Sequence, residues 1–418
     1  MRKVLLIALL IGGPLLGFTQ NTSATASGGS STATSPKDAS TSVPAFSAET
    51  THYRVSSETS QAQAEDVARR MEASLSLYNG IFHFDLSRLR TKFRVKVFRD
   101  VDSFNAYLDK LLSQKRNDFV FVAWSDPERS ELLIFPKEDK AFTASLLHQG
   151  CIQFIKGFID NPPVWLREGI ATCLDAASWD AKAGTFTGRP NLAWLDGLKA
   201  IVRGDSSAKL IPLSDLLTMS RDKAQAQMDV FAPQSWGMVQ FLLNAPDRAY
   251  NRVLWDSLSD LAPTATLDEN SAAVRAGAFS WFSDAQVEHD FTSYILSLKT
   301  ATDLVKGGID QYSKGDLAGS ALSMTKSLEL EPSASTPWYY LGLIAYARKD
   351  YTGAEDAYLK SFQLGASAGV INYALGVNSF AAGNNADATK YLNFAKQADA
   401  SSYGDKVDSL LKRIQGTK

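Results

Sequence analysis

The chain opens with Met1-Arg2-Lys3 and then an uncharged, mostly apolar stretch from Val4 to Phe18, broken by Gly12-Gly13-Pro14. Hydrophobic order stops there. Residues 21–50 hold 14 Ser or Thr and 6 Ala with neither a helical nor a strand period. Such a stretch buries too little apolar surface to offset its ordering entropy. Regular patterns begin at residue 51. His52 to Val55 reads as the start of a short strand, and Ala64, Val67, Ala68, Met71, Leu75 and Tyr78 recur at helical spacing. Phe93, Val95 and Val97 alternate with Arg94 and Lys96, which marks a half-buried strand. Two more strand-like runs, Phe119 to Trp124 and Leu132 to Phe135, flank the turn-like Ser125-Asp126-Pro127-Glu128. After Lys140 the strand signals fade and helices dominate to about residue 299. Strands followed by helices predict an α+β domain.

The last 120 residues repeat. Gly308, Gly342 and Gly376 are 34 apart, as are Ser320, Ala354 and Ala388, then Met324, Tyr358 and Leu392, then Ser327, Ser361 and Ala395. Lys314-Gly315-Asp316, Lys349-Asp350 and Gly383-Asn384-Asn385 supply turn residues between paired helices. Pro332 falls at a repeat end, and Tyr403 to Ile414 reads as a terminal capping helix. The register resembles the tetratricopeptide repeat, with Trp338, Leu341 and Gly342 matching its opening residues. The resemblance implies an all-α solenoid in which small residues let two helices approach and large ones fill the space between repeats.

Composition narrows the function. The chain has 418 residues, 45% hydrophobic and 21% charged, with 43 basic against 45 acidic residues. That balance excludes a wholly disordered chain and offers no basic surface for nucleic acid. The 15 residues from Val4 to Phe18 are short against the ~20 needed to span a bilayer. They read as an export signal, cleaved after Thr19 or Ala26. The expected organisation is a signal peptide over 1–26, a flexible linker over 27–50, a first domain over 51–299 and repeats over 301–418. The protein is then extracytoplasmic, periplasmic or secreted, without a membrane span once the signal is cleaved; an uncleaved N-terminal anchor is the alternative.

The most informative segment runs from Leu146-Leu147-His148-Gln149-Gly150-Cys151-Ile152 to Pro162-Pro163-Val164-Trp165-Leu166-Arg167-Glu168-Gly169-Ile170-Ala171. It resembles the peptidase MA-like branch of the gluzincin metallopeptidases, and Ile211 to Leu217 and Gln234 to Leu242 resemble two downstream segments of that family. In that family two histidines four apart and a glutamate on the next helix bind zinc, and a glutamate between the histidines is the general base. Carried over by position, the ligands are His148, Ile152 and Glu168, and the base is Gln149. An isoleucine donates no lone pair, and a neutral amide takes no proton from a zinc-bound water. The resemblance therefore implies a gluzincin-like fold without catalysis and without a cofactor. His148 and Glu168 are then left as a hydrogen bond or ion pair in a partly buried cleft. A rebuilt zinc site from His148, Cys151 and Glu168 is the alternative.

Cys151 and Cys173 lie eleven residues either side of Pro162. They are candidates for a disulfide across an antiparallel hairpin, two isolated buried thiols being the other reading. The function expected is non-catalytic binding of a protein or peptide partner in the repeat groove. Tyr339, Leu343 and Tyr346 are the candidate contacts, as groove residues not needed for packing. Strand addition at Glu131 to Phe135, matched by position to the family's substrate-pairing strand, is a second route.

Overall fold

The computed structural model describes residues 46–416, except Arg90 and Arg189. The signal segment and residues 27–45 of the expected linker lie outside the described residues. The chain divides into two compact units between Leu298 and Lys299.

The first unit begins earlier than expected. Phe46–Glu49, placed in the linker by its composition, forms strand β1, and Tyr53–Ser57 forms β2 antiparallel to it. Phe46 and Ala48 alternate with Ser47 and Glu49, a period of two concealed by the surrounding Ser, Thr and Ala. Helix α1 (Gln61–Phe82) follows, with the Ser60 side chain accepting from the Gln63 amide. Strand β3 (Phe93–Val97), helix α2 (Val101–Leu112) and strands β4 (Val120–Val122) and β5 (Glu131–Ile134) complete a five-stranded sheet in the order β1-β2-β3-β5-β4. Val55, Val95 and Leu132 stand in register across the parallel strands β2, β3 and β5, all buried. Strand β5 is buried along its whole length, because β3 flanks it on one side and β4 on the other. Glu131 to Phe135 is thus interior, and the expected strand addition there is overturned. The outer strand on that side is β4.

Helices α3 (Asp139–Lys156) and α4 (Val164–Leu174) carry the informative motif. A small hairpin of β6 (Ser178–Asp180) and β7 (Thr185–Thr187) follows, which the fading strand signal had concealed. The remainder is helical: α5 (Leu195–Arg203), α6 (Leu213–Leu217), α7 (Arg221–Ala226), α8 (Met228–Asn244), α9 (Ala249–Ser259), α10 (Leu267–Ala276) and α11 (Asp284–Ser297). Gly169 is where α4 meets α8. A Cβ there would stand 2.4 Å from the Ser235 carbonyl oxygen and 2.6 Å from Val239.

The second unit is a run of paired helices: α12 (Ala301–Ser313) with α13 (Leu317–Leu330), α14 (Ser335–Ala347) with α15 (Tyr351–Gln363), and α16 (Ala368–Ala381) with α17 (Asn385–Ala398). Helix α18 (Ala400–Gly416) closes it. The 34-residue register has a physical meaning at each position. A Cβ on Gly308, Gly342 or Gly376 would come within 2.8 Å of Met324, 2.4 Å of Tyr358 or 2.7 Å of Leu392. Each small residue receives the large one of its own repeat, which is a tetratricopeptide-like helical packing. Asp316, Asp350 and Asn384 each accept a backbone N–H three residues on, capping the second helix of each pair. Just before them, Gly315, Lys349 and Gly383 all take a left-handed backbone, so the middle repeat places a lysine where the others use glycine. Among the described residues no helix is long and apolar enough to cross a membrane.

Candidate functional site

Helix α3 starts where the Glu138 carboxylate accepts the Lys140 and Ala141 amides, and it carries His148 into the core of the first unit. Helix α4 restarts after Pro162-Pro163. Because Gly169 seats its helix against α8, the preceding residue, Glu168, is turned towards α3. His148 Nε2 lies 3.3 Å from Glu168 Oε2, and His148 Nδ1 lies 3.2 Å from Asp175 Oδ1. Arg167 grips the other Glu168 oxygen with Nε at 3.0 Å and Nη2 at 2.5 Å. Both histidine nitrogens and both Glu168 oxygens are therefore in use.

The charges follow from that arrangement. Burial would push the His148 imidazole down, but Asp175 and Glu168 outweigh it and raise its pKa to about 10. Burial opposes ionisation of Glu168, yet Arg167 and His148 hold its pKa down to about 2. Asp175 is raised by burial, against the pull of His148. The result is an imidazolium and a guanidinium sharing a carboxylate, with Asp175 closing the far side of the ring. Asp175 escaped the sequence reading. Its one available signal was its place seven residues after Glu168, two turns along the same helical face.

At the positions that the resemblance gives to zinc ligands, Ile152 is buried and apolar and both nitrogens of His148 face carboxylates; among the described residues no group of three or more His, Cys, Asp or Glu is placed to hold a metal ion. Gln149, which the resemblance would align with the base, holds a strand instead: its Oε1 accepts the Phe121 amide at 3.2 Å. Phe121 lies on β4, the outer strand, so the side chain occupies a backbone donor that a paired peptide would need.

The expected bridge between Cys151 and Cys173 is not formed; both are buried free thiols. Equal spacing about Pro162 misjudged the turn. Helix α3 ends at Lys156 and α4 begins at Val164, so Cys151 is five residues from its helix end and Cys173 nine residues into its own. The two levels differ by four residues, about 6 Å at 1.5 Å per residue. Cys173 Sγ faces α8, 3.3 Å from Gln240 Nε2 and 3.9 Å from the Trp236 carbonyl oxygen. Burial pushes the Cys173 thiol up to about 12 despite Gln240, and pushes Cys151 well up with Asp175 and Glu168 adding to it. Neither is a thiolate nucleophile.

The repeat unit presents a different kind of site. Tyr312, Tyr346 and Phe380 are 34 apart on α12, α14 and α16, as are Ile309, Leu343 and Val377, and Tyr339 and Tyr373. All eight are half-buried. Neighbouring first helices touch where Tyr312 on α12 meets Tyr340 on α14 edge-on at 5.7 Å, and within α14 Tyr340 meets Tyr339 edge-on at 5.5 Å. Tyr339, Leu343 and Tyr346 were expected to be spare of packing duty. They are not, since each lies against the cluster of Ala354, Tyr358, Ile371 and Leu375, and the Tyr339 ring meets that of Tyr358 at a tilt, 5.9 Å between centroids. A helix only about 10 Å across cannot give a tyrosine wholly to one face. Burial raises the pKa of Tyr339, helped by Tyr403, Tyr340 and Tyr312, and that of Tyr312, helped by Tyr340 and Tyr346. The hydroxyls of Tyr312, Tyr339, Tyr340, Tyr346 and Tyr373 find no hydrogen-bond partner among the described residues, and none is sealed from solvent.

No protein-family profile matches the chain, and no curated protein matches it. Among solved structures it is similar to the first tetratricopeptide repeat domain of Spaghetti (RPAP3) bound to the HSP90 peptide SRMEEVD. That likeness has 16% identity and a TM-score of 0.27, covering 28% of this chain and 92% of the other.

Proposed function

We propose that the chain is a non-catalytic binding protein. Its repeat unit holds an extended protein or peptide segment against the face made by α12, α14 and α16. Its first unit is a relative of the gluzincin peptidases that has given up hydrolysis. The observation that carries this reading is the row of half-exposed aromatic and aliphatic side chains at matched repeat positions, with tyrosine hydroxyls unused by the protein. These side chains pack against the repeat core with part of their surface and leave the rest, with the hydroxyls, open to a ligand. Loss of chemistry is supported by Gln149, which cannot serve as a base, and by His148, whose nitrogens already hold carboxylates. The site of action is outside the cytoplasm, as the pattern from Met1 to Phe18 implies.

The test is to pan a random-peptide display library on the purified chain. Recovered peptides should bind at least about tenfold more weakly to Tyr346→Ala, as expected for an aromatic anchor. Tyr346→Phe should retain the melting temperature. Failure to recover any peptide sensitive to Tyr346 would sink the binding role of this face. Metal analysis of the same preparation should find no stoichiometric zinc; about one per chain, lost in Glu168→Ala, would overturn the non-catalytic reading.

A further inference from the structure

The first unit gathers cations that its own carboxylates do not match. Lys156, the last residue of α3, and Arg221, the first of α7, both reach the loop that joins α3 to α4. Lys156 Nζ donates to the Asp160 carbonyl oxygen at 2.5 Å, and Arg221 Nη2 donates to Asn161 Oδ1 at 3.3 Å, so the two heads hold neighbouring residues. Arg167, early in α4, is buried, and its amide bonds to the Pro163 carbonyl oxygen. Its Nε and Nη2 bind Glu168, while Nη1 has no partner among the described residues and is not sealed from solvent. The Nε and Nη1 of Arg221 are likewise unpartnered and open.

The three cations feel one another. Burial lowers the Lys156 pKa to about 8, with Arg221 and then Arg167 adding to it and Asp160 pulling the other way. Burial and Arg167 lower that of Arg221, against Glu168 and Asp222. Among the described residues neither Lys156 nor Arg221 forms an ion pair, and Glu168 already takes Arg167 and His148. Like charges gathered in half-buried surroundings are unfavourable until an anion joins them.

The donors narrow the anion. Two unmatched cations call for two negative charges, which a carboxylate monoanion does not supply. Planar guanidinium donors suit the oxygens of a phosphate, and an ammonium adds a compact point charge. No side chain caps the first turn of α4, which begins three residues past Asn161, so the positive end of its dipole acts in the same sense.

We propose that Lys156, Arg167 and Arg221 form a binding site for a phosphate dianion, free or as a phosphomonoester, with the two guanidinium groups donating to its oxygens and the ammonium matching its charge. The site belongs to the first unit and does not depend on the binding role argued above.

The probe is inorganic phosphate, titrated by calorimetry into the purified full chain slightly above neutral pH and at fixed ionic strength, beside acetate. Phosphate should saturate at one per chain and raise the melting temperature, as a ligand of the folded state does, while acetate does neither. Lys156→Gln and Arg221→Gln should each weaken phosphate about tenfold or more, the scale of a lost hydrogen bond to a charged group. In phosphate-free buffer both variants should melt no lower than the parent, because each removes an unmatched charge. Acetate bound as tightly as phosphate, a phosphate affinity unchanged in both variants, or lower melting temperatures in both without phosphate overturns the proposal, the last by making the cations supports of the loop. O-phosphoserine separates the two sources. Binding as tight as that of phosphate supports the site and admits an ester-linked group, and binding about tenfold or more weaker supports it for the free anion. If neither compound binds, the proposal falls.

Discussion

The His148 cluster and the tyrosine face both bring polar side chains into partly apolar surroundings, and they treat them in opposite ways. Around His148 the imidazole nitrogens, the Glu168 oxygens and the Gln149 carbonyl are answered from within: two carboxylates on the imidazole, a guanidinium on Glu168, a strand amide on Gln149. On the repeat face the hydroxyls are left unanswered and solvent reaches them. A polar group that is buried and paired contributes to the fold and is strongly missed when its partner goes. One that is unpaired and reachable costs the fold little and remains available to a ligand. The two regions differ in whether their hydrogen-bonding capacity is already used within the protein.

That contrast can be broken by substitution. The largest effect is expected at Glu168→Ala, which leaves Arg167 an uncompensated buried cation and His148 with Asp175 alone, and should cost about 3–5 kcal/mol in urea unfolding. A loss under about 1 kcal/mol would mean that the cluster is not paired as described. Next is pH. His148 is raised to about 10, so its contribution is complete below its unfolded value near 6.5 and fades as pH climbs towards 10. Glu168 is lowered to about 2, so its contribution is present above about 4.5 and fades as pH falls towards 2. The melting temperature should therefore fall at both ends, and His148→Gln should flatten the alkaline limb; an unchanged alkaline limb in that variant would remove the imidazolium from the picture.

The repeat unit offers smaller and sharper tests. Gly342→Ala drives a methyl to within 2.4 Å of the Tyr358 ring and should cost about 1–3 kcal/mol as an overpacked contact. An unaltered melting curve would show that the small-against-large register is not what holds the repeats. Lys349→Gly relieves a left-handed backbone that the other two repeats give to glycine, and should gain about 1 kcal/mol. Destabilisation there would show that the lysine side chain earns its place by a contact. The smallest effect is Tyr346→Phe, expected to leave stability unchanged within about 0.5 kcal/mol because its hydroxyl bonds to nothing in the protein.

Much of the fold was legible in the sequence because it depends on periods. The 34-residue register marked Gly342 as a point of close helix approach and Tyr358 as a large packing residue, although it set Tyr358 between repeats rather than against the glycine of its own, and alternation at Phe93, Val95 and Val97 marked β3. Features that depend on tertiary pairing were not legible. Asp175 meets His148 across 27 residues of chain, and no local pattern announces it. Strand β5 has the same residues whether it lies inside or at the edge of a sheet, and its place was decided by β4 folding back on it. The cysteines were misjudged because equal counts about a proline ignore the seven residues between α3 and α4. At the repeat face, position identified Tyr339 and Tyr346, but only the packing showed that each also serves the core.

Gln149 has a consequence beyond the closed cleft. Val120-Phe121-Val122 is a short run of bulky, β-favouring residues on the outside of a sheet, the kind of segment that seeds pairing between chains when its amides are free. The Gln149 side chain takes the middle amide out of reach. The neutral Gln149 amide thus guards the molecule against self-association, and Gln149→Ala should form aggregates at concentrations where the parent chain stays dispersed, as light scattering would show.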